Sequence, residues 1–239
     1  MLGILIQLLI SWLILWLYEK GNLSMFGFYP TKKRLFGFAV FFIITAICCS
    51  SDFFMRMLFA KQRWELNPKL NANLVLTGIW WNVKSVLFEE LIFRGVLFYI
   101  LIKKSGHTKA IIISAIVFGI YHWFSHEVIG NPTQMLITFI ITGTMGLVYA
   151  YAYSKTFSLY YPIAIHLGWN VTSSVIFSNS ILGNQLFTQV QPVPEAQVGY
   201  FIYFCIAFIP LLSAMLINYF MLKRMPQAAI PHPQSLHNQ

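Results

Sequence analysis

Two of the chain's seven acidic residues stand side by side in an apolar stretch, Phe88-Glu89-Glu90-Leu91-Ile92-Phe93-Arg94. A charge at the centre of a membrane helix costs roughly 2.5–3.5 kcal/mol, so three charges within one such stretch would together cost roughly 8–10 kcal/mol if unpaired. They have to face a protein interior or a wet cavity. Glu90 and Arg94 stand at i and i+4 with the acid first, the favourable order for a helical ion pair. Glu89 is turned by about 100° from Glu90 on a helix. Arg94 therefore satisfies Glu90 more readily, and Glu89 remains as the carboxylate for chemistry. Carboxylates in apolar surroundings hold a proton more readily than in water, the property a general base needs. The alternative is a buried charge cluster that only fixes helix packing.

Two further groups have helical spacing. Phe118-Gly119-Ile120-Tyr121-His122 ends one apolar run, and His166-Leu167-Gly168-Trp169-Asn170 lies in another, four residues after Pro162. His122 alone serves equally well as a hydrogen-bond partner between helices. His166 and Asn170 are one turn apart on one face, so both can donate to a single point. Pro162 kinks such a helix and opens space beside it. His126 falls near an interface and His107 in a basic loop, and neither is given a role.

The elements that must hold these residues follow from composition. Of 239 residues, 58% are apolar and 10% charged, with a net charge of +9 and a mean hydropathy of +0.67. Soluble domains run nearer half apolar and a quarter charged, so disorder is excluded and the balance points to a membrane protein rather than a soluble domain. Apolar runs cover 1–18, 35–54, 74–102, 110–124, 135–153, 157–177 and 198–222. A spanning helix needs about 20 mostly apolar residues. The expectation is an all-α, polytopic transmembrane helical bundle of about seven spans, six to eight in range. It forms a single domain over 1–224, with a disordered cytoplasmic tail over 225–239. The basic residues cluster between the runs, as in Lys32-Lys33-Arg34, Lys103-Lys104 and Lys223-Arg224. That is a positive-inside pattern rather than a nucleic-acid footprint. It predicts a multi-pass protein of the cell membrane with a cytoplasmic C-terminus, whose partners are the bilayer and a membrane-associated peptide or protein.

Other chemistries lack their residues. His126-Glu127 opens a zinc HExxH pattern, but position 130 is Gly. Asp52 is the only aspartate, too few for an aspartyl dyad, and neither a GxSxG elbow nor a glycine-rich phosphate loop occurs. Cys48, Cys49 and Cys205 lie in apolar runs and read as small hydrophobic residues. Two non-proteolytic readings stay open: an immunity or scaffold protein that uses only its surfaces, and a small transporter relaying protons through Glu89, Glu90 and Arg94. No internal repeat of the kind transporters show is visible.

In order along the chain, Glu89-Glu90-x-x-x-Arg94, Phe118-x-x-x-His122 and His166-x-x-x-Asn170 resemble the three motifs of the CPBP family of intramembrane proteases. That family includes type II CAAX prenyl endopeptidases and bacterial Abi-type proteins. The resemblance covers about residues 74–180. It implies a helical bundle with a wet cavity and peptide-bond hydrolysis by activated water. Glu89 is then the base, helped by His122, His166 and Asn170 hold the oxyanion, and Glu90 with Arg94 supports the site. The favoured reading needs no cofactor. The metalloprotease alternative places zinc on Glu90 (or Glu89), His122 and His166, with one open position.

Placing the C-terminus inside puts ten Lys and Arg in inner segments and four in outer ones. Reporter fusions after Lys104 and after Arg224 should both report cytoplasm. A signal from the other side at either site would overturn this orientation.

Overall fold

The computed structural model describes residues 1–178, 185–193 and 198–231. Among them are eight α-helices: α1 (Leu2–Glu19), α2 (Lys32–Ala60), α3 (Ala72–Arg94), α4 (Val96–Ser105), α5 (His107–Ser125), α6 (Pro132–Thr156), α7 (Tyr160–Val171) and α8 (Tyr200–Arg224). A single π-helical turn, Thr172–Ile176, continues α7. Two short strands, β1 (Trp64–Leu66) and β2 (Phe187–Gln189), pair antiparallel with Glu65 opposite Thr188.

The expected count of six to eight spans is corrected to five. Among the described residues, only α1, α2, α5, α6 and α8 are long and apolar enough to cross a membrane. They make the chain a multi-pass membrane protein, and their outer faces carry exposed apolar side chains such as Leu5, Leu9, Trp16, Phe201 and Phe204. The long third run is divided at Gly95 into α3, which carries Lys84, Glu89, Glu90 and Arg94, and α4, of only 10 residues. At about 1.5 Å per residue, α4 reaches roughly half the hydrocarbon thickness. α7 has 12 residues and is equally short.

Gly95 is dictated by space. A Cβ there would lie 2.0 Å from the carbonyl oxygen of Leu91, so no other residue fits the break. The break leaves α3 carbonyls without helical partners, and the Ser114 hydroxyl of α5 donates to one of them, Phe93, at 2.9 Å. α6 begins on a proline at its first turn, and the Asn131 carboxamide oxygen accepts from the Gln134 amide. Both are standard N-terminal devices.

The helices divide between two compact units. The first comprises residues 1–38, 87–163 and 219–239. In it α5 and α6 approach closely through small residues. A Cβ on Gly119 would lie 2.7 Å from the Phe139 ring and 3.3 Å from Gly143 Cα, and one on Gly146 would lie 3.0 Å from the Phe118 ring. Small residues that let backbones approach are the usual glue between membrane helices. The beginning of the expected tail is held in this unit. The Ala228 amide donates to the Lys155 carbonyl at 3.0 Å, and the Tyr99 hydroxyl donates to the Pro231 carbonyl at 2.8 Å. Residues 232–239, including His232 and His237, lie outside the described residues.

The second unit comprises residues 39–86 and 164–218. Phe53 and Phe177 stack at 4.0 Å between ring centroids, with Trp64 edge-on to both. A Cβ on Gly168 would lie 2.5 Å from the Phe42 carbonyl oxygen, so this glycine lets α7 lie directly on α2. The Asn218 carboxamide of α8 donates to the Thr45 hydroxyl of α2 at 2.9 Å, in full burial.

Gly119→Leu should lower the melting temperature of the detergent-solubilised protein, because overpacking typically costs about 1–3 kcal/mol. Gly199→Ala, where a Cβ meets nothing within 4 Å, should melt like wild type. Equal melting of both variants would show that the α5–α6 contact is loose.

Candidate active site

The first unit assembles four of the six residues singled out by spacing. Glu89, Glu90 and Arg94 occupy the last two turns of α3, and His122 occupies the last turn of α5. Glu90 and Arg94 are both wholly buried, with Arg94 Nη1 3.4 Å from Glu90 Oε1. Arg94 Nη2 donates to the Gly146 carbonyl of α6 at 3.0 Å. The guanidinium carbon lies 4.4 Å from the centroid of the Phe118 ring, 5.3 Å from that of Tyr149 and 5.7 Å from that of Phe93. A planar, weakly hydrated cation suits such a box of rings and oxygens, where an ammonium does not. As the last residue of α3, Arg94 also sits where the helix dipole favours a cation.

Glu89 lies beside this pair and meets a different partner. Its Oε2 is 3.9 Å from His122 Nε2, and the side chains are only 13% and 10% exposed. The other ring nitrogen, Nδ1, is 2.8 Å from the Phe118 carbonyl oxygen. A carbonyl can only accept, so Nδ1 carries the hydrogen and donates. That bond fixes the ring and turns Nε2 toward the carboxylate. A separation of 3.9 Å exceeds a direct hydrogen bond and suits a bridging water. Phe118 thus serves both halves of the cluster: its ring covers Arg94 and its carbonyl orients His122. Tyr121 and His126 close around the imidazole, with centroids 5.3 and 5.4 Å away.

The second unit holds the remaining two. His166 is buried in α7, and Asn170 is half-buried near its end. They stand one helical turn apart, and the π turn begins two residues later. A π-bulge inside a helix frequently marks a functional site. In Thr172–Ile176 the ladder shifts to i+5, seen in the Phe177 amide donating to the Thr172 carbonyl at 3.0 Å.

Of the two carboxylates open to the zinc alternative, Glu90 is engaged with Arg94, and Glu89 Oε2 lies 3.9 Å from His122 Nε2. Among the described residues no group of three His, Cys, Asp or Glu side chains is placed to hold a metal.

Several residues escape the sequence reading. The Gly146 carbonyl and the Tyr149 ring complete the Arg94 box, yet neither position differs in type from its apolar neighbours. Phe118 was visible as a motif position, but its two contacts were not. His107, read as a loop residue, opens α5, with Nδ1 2.7 Å from the Ser154 hydroxyl.

Arg94→Ala would leave Glu90 in the interior without its cation. Removing one partner of a buried pair typically costs about 3–5 kcal/mol. The variant should accumulate poorly and melt early in detergent, and Arg94→Lys should recover only part of the loss. Wild-type melting of Arg94→Ala would sink the structural role given to this pair.

No curated protein and no solved structure matches the chain. Residues 71–172, a stretch that contains Glu89, Glu90, Arg94, His122, His166 and Asn170, match the family model described as Type II CAAX prenyl endopeptidase Rce1-like, in agreement with the resemblance that their motifs carry.

Proposed function

We propose that the protein is an intramembrane endopeptidase that hydrolyses a peptide bond of a membrane-associated protein or peptide with water activated by Glu89. The observation that carries this reading is the Glu89–His122 pair: 3.9 Å apart, shielded, with the imidazole fixed by Phe118. Its position inside the segment similar to prenyl endopeptidases supports the same reading. A water held between Oε2 and Nε2 gives its proton to Glu89 as its oxygen attacks the scissile carbonyl carbon. The carbonyl oxygen becomes an oxyanion, for which His166 and Asn170 are the proposed donors. When the C–N bond breaks, the proton on Glu89 passes to the departing amine. The products are one carboxyl and one amino terminus, and Glu89 is again a carboxylate. Donors aimed at the developing charge are worth far more in a water-poor site than in bulk. Assigning all four residues to one bond rests on the motif resemblance. A CaaX-type prenylated substrate is the specific form proposed, because it is the chemistry of the matched family's name. The membrane is the cell membrane, with the C-terminus on the cytoplasmic side.

The test uses the full chain in lipid vesicles and a quenched fluorogenic peptide ending in a farnesylated CaaX sequence, alongside proteomics of membrane peptides from cells. Glu89→Gln should abolish cleavage while keeping the wild-type melting temperature, since it is nearly isosteric and Arg94 keeps Glu90. Full activity in Glu89→Gln would refute the base assignment. A peptide inventory unchanged by Glu89→Gln, together with no cleavage of the probe by wild type, would favour a non-catalytic membrane protein.

A further inference from the structure

The second unit contains a buried polar chain that ends on the backbone of Asn170. Asn82, on α3, is 1% exposed, and Ser174, within the π turn, is 5% exposed. Asn82 Nδ2 lies 2.9 Å from Ser174 Oγ and 2.8 Å from the Gly78 carbonyl. Ser174 Oγ lies 2.6 Å from the Asn170 carbonyl and 3.1 Å from Asn82 Oδ1. A serine hydroxyl has one hydrogen to give. The shorter contact takes it, so the chain runs in one direction: the Asn82 carboxamide donates to Ser174, and Ser174 donates to the Asn170 carbonyl. The Ser173 hydroxyl adds a longer bond to the same carbonyl at 3.3 Å.

The surroundings pin this chain from both sides. One turn before Asn82, a Cβ on Gly78 would lie 3.2 Å from the Val175 side chain and 2.8 Å from Gln185 Oε1, so α3 can approach the π turn closely only with glycine there. On the other side the Leu186 amide donates to the Val175 carbonyl at 3.0 Å. That strand-side segment is itself held by Asn67, whose carboxamide donates to the Gln185 carbonyl at 2.8 Å.

We propose that Asn82 and Ser174 are positioning residues for hydrolysis, setting the peptide plane at the end of α7 and with it the direction in which the Asn170 carboxamide points. The proposal rests on the reading of Asn170 as an oxyanion donor. The carbonyl held by Ser174 belongs to the same residue as that carboxamide, so the hydrogen bond fixes the Cα–Cβ direction of the donor itself. The π turn needs such a device. A ladder shifting from i+4 to i+5 has two competing registers, and a hydroxyl on the Asn170 carbonyl favours the observed one.

Two variants break the chain at different points. Ser174→Ala removes the donor to Asn170. Asn82→Asp keeps the shape, and in its ionised form cannot donate, so the Ser174 hydroxyl turns to the new carboxylate and releases the Asn170 carbonyl. A misplacement of about 1 Å at a reacting centre costs up to roughly a hundredfold. Each variant should therefore lower kcat on the farnesylated CaaX peptide by roughly tenfold to a hundredfold with little change in KM. The discriminating measurement is a double-mutant cycle with Asn170→Ala. If both residues act through Asn170, Ser174→Ala should cost nothing further in the Asn170→Ala background. Equal losses in both backgrounds would overturn the proposal and leave only a packing role, while the Asn170 assignment would stand. Wild-type kcat in Asn170→Ala itself would remove the oxyanion reading and this inference with it. Should Asn82→Asp fail to fold, Ser174→Ala, a loss of one oxygen, carries the cycle alone.

Discussion

The guanidinium of Arg94 is fully withdrawn from water, and the order of the first unit follows from satisfying it. A buried cation without partners is untenable in an apolar interior, and a single carboxylate repays only part of its desolvation. The remainder comes from the Gly146 carbonyl and from the faces of Phe118, Tyr149 and Phe93. Those partners lie on three helices, so one side chain dictates how closely α5 and α6 approach the end of α3. The glycines between α5 and α6 make that approach sterically available. Because Arg94 holds Glu90, the adjacent carboxylate of Glu89 faces His122 instead, and two neighbouring acids acquire different partners.

Much of this cluster is legible in the sequence, because charged residues are rare in this chain and their intervals are helical. Glu90 and Arg94 at i and i+4 announce a pair, and His122 follows Phe118 by one turn. The order of the motifs along the chain points to the same family that residues 71–172 match. What stays hidden is backbone chemistry and common residue types. A carbonyl oxygen has no letter in the sequence, so neither Gly146 nor the Phe118 carbonyl could be found. Tyr149 is one of twelve tyrosines in the chain. Asn82 and Ser174 are polar residues in apolar runs, a weak signal, and their pairing joins positions 92 residues apart.

The helices were more legible than their ends or their number as spans. Apolar runs located all five helices that are long and apolar enough to span, yet hydropathy merged α3 and α4 into one run, because Gly95 acts through a steric contact with Leu91 and not through polarity. The π turn is equally silent, since Thr172–Ile176 has the composition of an ordinary helix end. The two strands escape for a simpler reason. Three residues are too few to establish a period of two, and their pairing depends on a partner more than a hundred residues away.

The Arg94–Gly146 bond also sets a clock on biogenesis. The α6 carbonyl that accepts from the arginine is made 52 residues after it. At synthesis rates of about 5–20 residues per second, the motif helix waits roughly 3–10 s before that partner exists. For those seconds the charges at the end of α3 lack their partner on α6, and exposure to lipid would be at its most costly. The end of α3 therefore reaches its final packing only once α6 has been made, so the order of synthesis and the order of packing differ along this chain.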